Sequence, residues 1–574
     1  MKRLLSLLLL AATIASCGRK VYVADYITDE MLAAGDATSG ILAAFDEAIK
    51  TPGTTLVFPG GVLPVRDSSC SFCEPFSVIC NHTVERFVFL DIHGAEDFTI
   101  DGNGTELLFT GTVMPFRLHD SKNVTIKNLT TDYKRTFHSE AVIVADGEDY
   151  MDLRFPKDYI MTLEDGCLRF WDEEGREYPY GSLLEWDSEK KEVAYLAQDY
   201  LGVDSSVKAE FLPDGTVRIQ KAGILAQGDH SLLKGTPGNT LVFNAYLRRC
   251  PSYAIDSCEN ITIKDVNIWC ASGTGLGCGR SKNISIERMR LEPTPGSGRM
   301  VSATADATHF ENCSGSIRLV DCLFSGQYDD ATNFHTRFNR VYTIEDEHHM
   351  VLASPNNYCP PHAGDELDLA ECGVLVPYAV LHVKESKHLS GEYYLVTFVE
   401  EIPQRIMSGD VLSQTDCEPD VTIKGCSIAN NRARGLLLGS RGKIIVEDNY
   451  FHTPGSAITI EGDGSYWFED SACEDVTIRN NVFDNCLYGS KMWGNAAITV
   501  STKNLVKSKL RYHKNIRIVD NVFNTYDPRI VHLYSVDGVT IKGNEINMNE
   551  DYPYSYEETR NFITYWCDNV VVNQ

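Results

Sequence analysis

Asp306 and the adjacent pair Asp329-Asp330 are the residues of this chain best placed to do chemistry. They flank a strand-like segment, Ser316 to Phe324, and the step from Asp306 to Asp329 is 23 residues. The same step recurs between purely structural segments, so it reads as one turn of a stacked coil. A residue one repeat later returns to nearly the same place one layer on, and neighbouring layers of hydrogen-bonded strands lie about 4.8 Å apart. Three carboxylates should therefore share one small patch. Crowding them costs stability through like-charge repulsion and raises at least one pKa. Glycoside hydrolysis uses such a patch: a protonated carboxyl gives its proton to the leaving oxygen while an ionised one activates water. Alternation along a regular strand would send Asp329 and Asp330 to opposite faces, so both reach one site only where a strand ends or bulges. A calcium site or turn-capping aspartates would use the same residues. Calcium takes about six to eight oxygens, and three Asp could begin that shell.

The elements that position the trio repeat along the chain. Val421–Ile428, Ile444–Phe451, Val476–Phe483, Ile516–Phe523 and Val539–Ile546 each carry apolar residues at the first, third and eighth positions. Their starts fall 23, 32, 40 and 23 residues apart, one coil plus insertions of varying length. Phe98, Val124, Ile261, Ile284 and Ile317 begin similar segments in the N-terminal half. Alternation over so few residues marks short half-buried strands. Strands at this period without helices between them predict an all-β chain, a parallel β-helix. The sixth position holds Cys426, Asn449, Asn481, Asn521 and Asn544, which predicts a side-chain amide ladder at one corner of the coil.

The repeat breaks twice. Charged turns and antiparallel-type strands predict inserted β modules over 139–243 and 343–415. The expected organisation is then a lipoprotein signal over 1–17, a cap helix and first coils over 18–138, catalytic coils over 244–342 and C-terminal coils over 416–574. Within the cap, Ile41, Leu42, Phe45 and Ile49 lie on one helical face, and Thr38 or Ser39 is placed to cap its start. Met1-Lys-Arg, a Leu-rich run and Ile14-Ala-Ser-Cys17 form a bacterial lipobox, with lipid attachment at Cys17 and a cell-envelope location, periplasm-facing rather than surface-exposed.

Net charge is −28, from 80 acidic and 52 basic side chains, which argues against nucleic acid or another polyanion as partner. Cys70 and Cys73 form a lone CxxC with Cys80 nearby, and no second ligand pair completes a zinc site. No cofactor is expected, and the membrane is met only through the N-terminal lipid.

The trio sits within Pro295-Gly-Ser-Gly-Arg-Met-Val-Ser-Ala-Thr-Ala-Asp-Ala-Thr-His-Phe310 and Gly326-Gln-Tyr-Asp-Asp-Ala-Thr-Asn-Phe-His335. Asn430-Asn-Arg-Ala-Arg-Gly435 and Ile460-Glu-Gly-Asp-Gly-Ser-Tyr-Trp-Phe-Glu469 follow. Together these tracts resemble glycoside hydrolase family 110, bacterial exo-α-1,3-galactosidases of the blood-group B type. The resemblance implies a right-handed β-helix with two β-barrel insertions and an inverting mechanism on terminal α-galactose. It also implies catalytic Asp306, Asp329 and Asp330, with Asp329 as the acid and the other two activating water. His309, Asn333, His335, Arg434, Glu461 and Trp467 are the candidate sugar-binding residues, Trp467 by stacking. For the histidines a structural role is an equal account, and for Arg434 and Glu461 a buried ion pair is.

A polygalacturonase-like hydrolase or a polysaccharide lyase on the same fold is the alternative enzyme. Either needs basic residues near the trio to hold a uronate, and the sequence places no basic cluster there. A non-catalytic glycan-binding solenoid is the third possibility.

Overall fold

The computed structural model describes residues 18–73, 86–355, 358–503, 509–554 and 556–573. Cys17, the rest of the expected signal and Cys80 lie outside them. The repeat positions stack as the periodicity requires. Val124 pairs with Ile261, Ile261 with Ile284, Ile284 with Ile317 and Ile317 with Val421, all in parallel. The column continues through Ile444, Val476, Ile516 and Val539. These side chains and those two residues on, such as Ile423, Val446, Ile478 and Ile518, are fully or almost fully buried. Their burial is the main source of stability, at about 1.5–3 kcal/mol for each large aliphatic side chain. Among the described residues the coils build a 21-stranded and a 13-stranded sheet around this core, a parallel β-helix.

The amide ladder is formed. Asn449 donates through both its backbone N–H and Nδ2 to Asn481 Oδ1, each at 3.0 Å, and Asn481 repeats this toward Asn521 Oδ1 at 3.0 Å. Asn521 continues to Asn544 Oδ1 at 3.1 and 2.9 Å. At the head of the column Asn449 Oδ1 accepts from the Cys426 N–H at 2.8 Å. Cys322 and Cys426 are buried free thiols at the same position of their coils.

The cap helix spans Thr38–Ala48 and buries Ile41, Ala44 and Phe45. Its start differs from expectation. Thr38 is already helical, and the Asp36 carboxylate accepts the Thr38 N–H at 3.0 Å. Thr38 Oγ1 is engaged instead with the Arg66 N–H, which ties the helix to a strand of the first coil.

Two antiparallel modules interrupt the coils. Ser139–Asp146, Tyr150–Arg154, Tyr180–Asp187, Val217–Gln220 and Thr240–Ala245 are the long strands of an eight-stranded sheet. Its inner residues Ile143, Leu153, Leu183 and Phe243 share one continuous core with the solenoid. The second module is a closed six-stranded barrel that runs from Asn339–Ile344 to Val411–Gln414. It has a core of its own around Leu352, Leu367, Val396 and Leu412.

Candidate active site

Strands Thr308–Glu311 and Thr332–Arg337 lie side by side on successive coils, with His309 opposite Asn333 and Glu311 opposite His335. Phe310 and Phe334 stack between the layers at 4.6 Å and fix this register. It matches residue 308 with residue 332, a step of 24. The counterpart of Asp306 is therefore Asp330, not Asp329 as the 23-residue spacing suggested. The backbone agrees: the Gly275 N–H donates to Asp306 O at 2.9 Å, and the Ala307 N–H donates to Asp330 O at 3.0 Å. Asp329 and Asp330 lie in the irregular segment between Leu323–Ser325 and Thr332–Arg337, where no strand obliges their side chains to alternate. Oxygens of all three carboxylates lie within 4.8 Å of one another.

Each carboxylate is held by a different donor. Asp306 Oδ2 meets His309 Nδ1 at 2.7 Å. Asp330 accepts three N–H groups of Arg434, from the backbone at 2.9 Å, Nε at 3.1 Å and Nη2 at 2.9 Å. Asp329 pairs with the Arg248 guanidinium. Burial pushes the Asp330 carboxyl up, and the neighbouring Asp329 and Asp306 add to this against the pull of Arg434, to about 7. Burial also raises Asp329, but Arg248, Arg432 and Arg434 outweigh it and hold the group below the usual carboxylate range. Burial and crowding thus favour a proton on Asp330 over Asp329 in the free site, whereas the family resemblance puts the acid at Asp329. The donors also bear on calcium. The oxygens that would begin its shell are already engaged by two guanidinium groups and an imidazole.

The trio opens into a cavity of about 430 Å³. His309, Asn333, Arg434, Glu461 and Trp467 all line it. Arg434 and Glu461 pair with each other at 3.2 Å, so the ion-pair account of them holds. Asp463 accepts the N–H groups of Ser465, Tyr466 and Trp467 and so sets the loop that carries Trp467 to the rim. His335 does not reach the cavity. Its side chain is 0% exposed, because Glu469–Asp470 pairs with Thr336–Arg337 and roofs it. A basic cluster, which the sequence did not show, is also present. Arg248, Arg432, Arg434, Lys491 and Lys503 converge on the cavity from separate segments. The three arginines are committed to Asp329, Asp199 and Asp330, and Lys503 to Glu461.

Comparison with known proteins agrees with this fold. Residues 139–226 and 361–412 match models described as GLAA-B β-barrel domains I and II, and 407–510 match a right-handed β-helix region. The chain is 32% identical to α-1,3-galactosidase A of Shewanella woodyi, over 90% of this chain and 84% of that protein. The chain belongs to glycoside hydrolase family 110. It is also 27% identical to α-1,3-galactosidase B of Bacteroides thetaiotaomicron, over 99% of this chain and 93% of that one. Against α-1,3-galactosidase A of Bacteroides fragilis it is again 27% identical, over 93% and 88%.

In this family 110 chain the first barrel forms part of the site. Leu201 and Gln227 line the cavity. The neighbouring Asp199 bonds Arg432 Nε at 2.7 Å, and Arg432 in turn lies 4.7 Å from the Trp493 ring. Trp493 lines the cavity beside Arg434 and is the aromatic that sequence reasoning missed. Arg248 and Trp493 carry no repeat or motif signal, and Arg432 lies in the Asn430–Gly435 tract without any role having been read for it, since distant segments deliver these side chains to one point. The Gly462–Gly464 bend around Asp463 was the one legible sign of a built loop.

Proposed function

We propose that this chain is an exo-acting α-1,3-galactosidase that removes terminal α-1,3-linked galactose, from blood-group B-like or linear glycans, with inversion. The relatives named α-1,3-galactosidase support galactosidase activity. The observation that carries the proposal is the trio itself: three carboxylates in one cavity, each fixed by a separate donor. Leu201 and Gln227 of the first inserted module line the cavity together with Lys491, Met492 and Trp493, a lining we take to fit one terminal sugar.

In the proposed reaction, water held by Asp306 and Asp330 attacks the anomeric carbon. The bond to the leaving oxygen breaks, that oxygen takes the proton of the acid, and the proton of water passes to the base. Asp306 and Asp330 keep their locks on His309 and Arg434 throughout. Asp329 is the proposed donor, as the family resemblance implies. Its Arg248 partner lines the cavity, so a bound sugar that displaced this pairing would leave Asp329 beside two carboxylates and raise its proton affinity.

Inversion rests on the family resemblance and not on spacing. The trio lies within 4.8 Å, closer than the ~6.5–9.5 Å of a two-carboxylate inverting site. Proton NMR of the first product of a terminal α-1,3-galactoside decides this. β-Galactose is expected, and initial α-galactose would mean a covalent intermediate and end the shared-base assignment. Turnover of polygalacturonate but not of α-galactosides would support the uronate-acting alternative, although the arginines that would hold a uronate are already paired. No turnover at all, with binding indifferent to Asp329→Asn, would favour a glycan-binding solenoid.

We also propose that Cys17 carries a lipid and anchors the protein in the cell envelope, because Ile14-Ala-Ser-Cys17 forms a lipobox. Cys17→Ser should shift the protein from the membrane to the soluble fraction. A wild type found wholly soluble, with a mature start other than residue 17, would rule this out.

A further inference from the structure

Behind the trio runs a buried chain of polar groups that the hydrolysis above does not use. His309 turns Nδ1 to Asp306 Oδ2 at 2.7 Å and Nε2 to His335 Nε2 at 2.9 Å. His335 is sealed from the cavity, with Glu311 and Glu469 at 3.9 and 3.7 Å from its Nε2. Arg337 Nε donates to Glu311 Oε1 at 2.8 Å and holds the far end. The Glu311–His335 pair sits two residues along the same two strands that carry His309 and Asn333, so the register that builds the cavity wall also builds this chain.

The hydrogen-bond inventory limits the proton positions. An ionised Asp306 only accepts, so Nδ1 of His309 must carry the proton between them. Nε2 then either donates to His335 as part of an imidazolium or accepts from it in the neutral ring. In both states His335 fixes the ring plane, since the partner of one imidazole nitrogen decides what the other does. A metal shared by the two imidazoles is disfavoured by Arg337, whose guanidinium already neutralises Glu311, the carboxylate that would have to join it.

We infer that His335, which touches neither the cavity nor the trio, is a positioning residue: it holds the tautomer and orientation of His309, and through it keeps Asp306 an aimed, ionised base. The inference rests on the proposed hydrolysis for the role of Asp306, but the geometry of the chain does not. Burial pulls the His309 imidazole down, yet Asp306, Glu311 and Glu469 outweigh it and hold the ring above its ordinary value. His335 itself is held lower by burial. Asp329, Asp330, Arg248 and Arg434 face Asp306 from the other side of the site, and Arg337 closes the inner end.

His335→Phe and His335→Gln on the full chain test it. Gln keeps a side-chain group that accepts from or donates to His309 Nε2, and Phe removes both. His335→Phe is expected to lower kcat about 10–100-fold, the usual cost of removing an orienting partner, with KM nearly unchanged. The acid limb of its kcat/KM profile should move to higher pH, because His309, without a partner at Nε2, no longer holds its Nδ1–H on the base. His335→Gln should recover most of both. In the wild type, ¹⁵N NMR should show His309 Nδ1 protonated between about pH 5 and 8, and this readout needs no substrate. It therefore stands or falls separately from the galactosidase reading, and it remains decisive if His335→Phe does not fold. An unprotonated Nδ1 overturns the inference. So does a His335→Phe variant that loses melting temperature while its pH profile stays put, or a Gln variant no better than Phe. A stoichiometric transition metal in the wild type that disappears in His335→Phe would also overturn it.

Discussion

Two columns in this solenoid place a polar residue at the same position of successive coils, and they meet opposite fates. Along the corner from Asn449 to Asn544 each amide both donates and accepts, so one layer satisfies the next and the column closes on itself. Where Asp306 stacks over Asp330, with Asp329 beside them, the ionised side chains accept only. Beyond any proton they share they cannot satisfy one another, and donors come from outside: His309, Arg248 and Arg434. A stack of like residues is thus stabilising or costly according to its balance of donors and acceptors. The chemistry sits where that balance is broken. The cost there is several buried charges, whose pairing recovers only part of the desolvation penalty.

The most severe way to break the contrast is to make the trio resemble the ladder. Asp306→Asn, Asp329→Asn and Asp330→Asn each replace an acceptor by a group that also donates, and each should keep the fold. Removing a general acid or base costs roughly 10²–10⁴-fold in rate, so turnover of a terminal α-1,3-galactoside should fall by at least that much. A substrate with a good leaving group should rescue only the acid variant, expected to be Asp329→Asn. Rescue of Asp330→Asn instead would mean that the proton stays where the free site holds it.

The converse change acts on stability and spares activity. Asn481→Ala and Asn521→Ala leave buried amide partners unpaired, at about 1–3 kcal/mol each. Thermal melts should fall accordingly, with kcat close to wild type because neither residue lines the cavity. Melts that match the wild type would show that the column contributes nothing, and the contrast between the two stacks would lose one side.

Both stacks were legible to different depths. The ladder could be read because each Asn occupies the same place in a strand whose apolar positions are local and regular. The gathering of Asp306, Asp329 and Asp330 was legible for the same reason. Its register was off by one, because strand pairing follows residues 308 and 332 while the counted repeat included a coil corner of variable length. What the carboxylates do was less legible. The directions in which Asp329 and Asp330 are shifted depend on Arg248, Arg432 and Arg434, which arrive from other segments and carry no periodic signal. The burial of His335 depends on a two-residue strand, Glu469–Asp470, too short to announce itself. The two insertions read as β from alternation. Nothing local said that the first would share the solenoid core and line the site while the second would close on a core of its own.

The smallest expected effect separates the stacks by pH. Asp330 is pushed up to about 7 in the folded protein, against about 3.9 for an unperturbed Asp. Between those values the folded state binds a proton that the unfolded chain has released, so stability falls as pH rises through the window. Asp329 is shifted the other way, and its contribution is lost only below the unperturbed Asp value, outside this window. His309, held above its ordinary value, contributes stability that is fully present below about 6.5 and is lost as pH rises through its folded pKa, which adds to the decline only at the upper end. Asp330→Asn cannot titrate, so its melting temperature should decline less than that of the wild type between about pH 4.5 and 6.5. Asn481→Ala should instead lower the whole curve and leave its slope alone, since an amide has no proton to exchange here. Calorimetry across that range measures both slopes. Equal slopes in the wild type and Asp330→Asn would mean that the crowded carboxylates carry no shared proton in the free site, and the trio would be as settled a stack as the ladder.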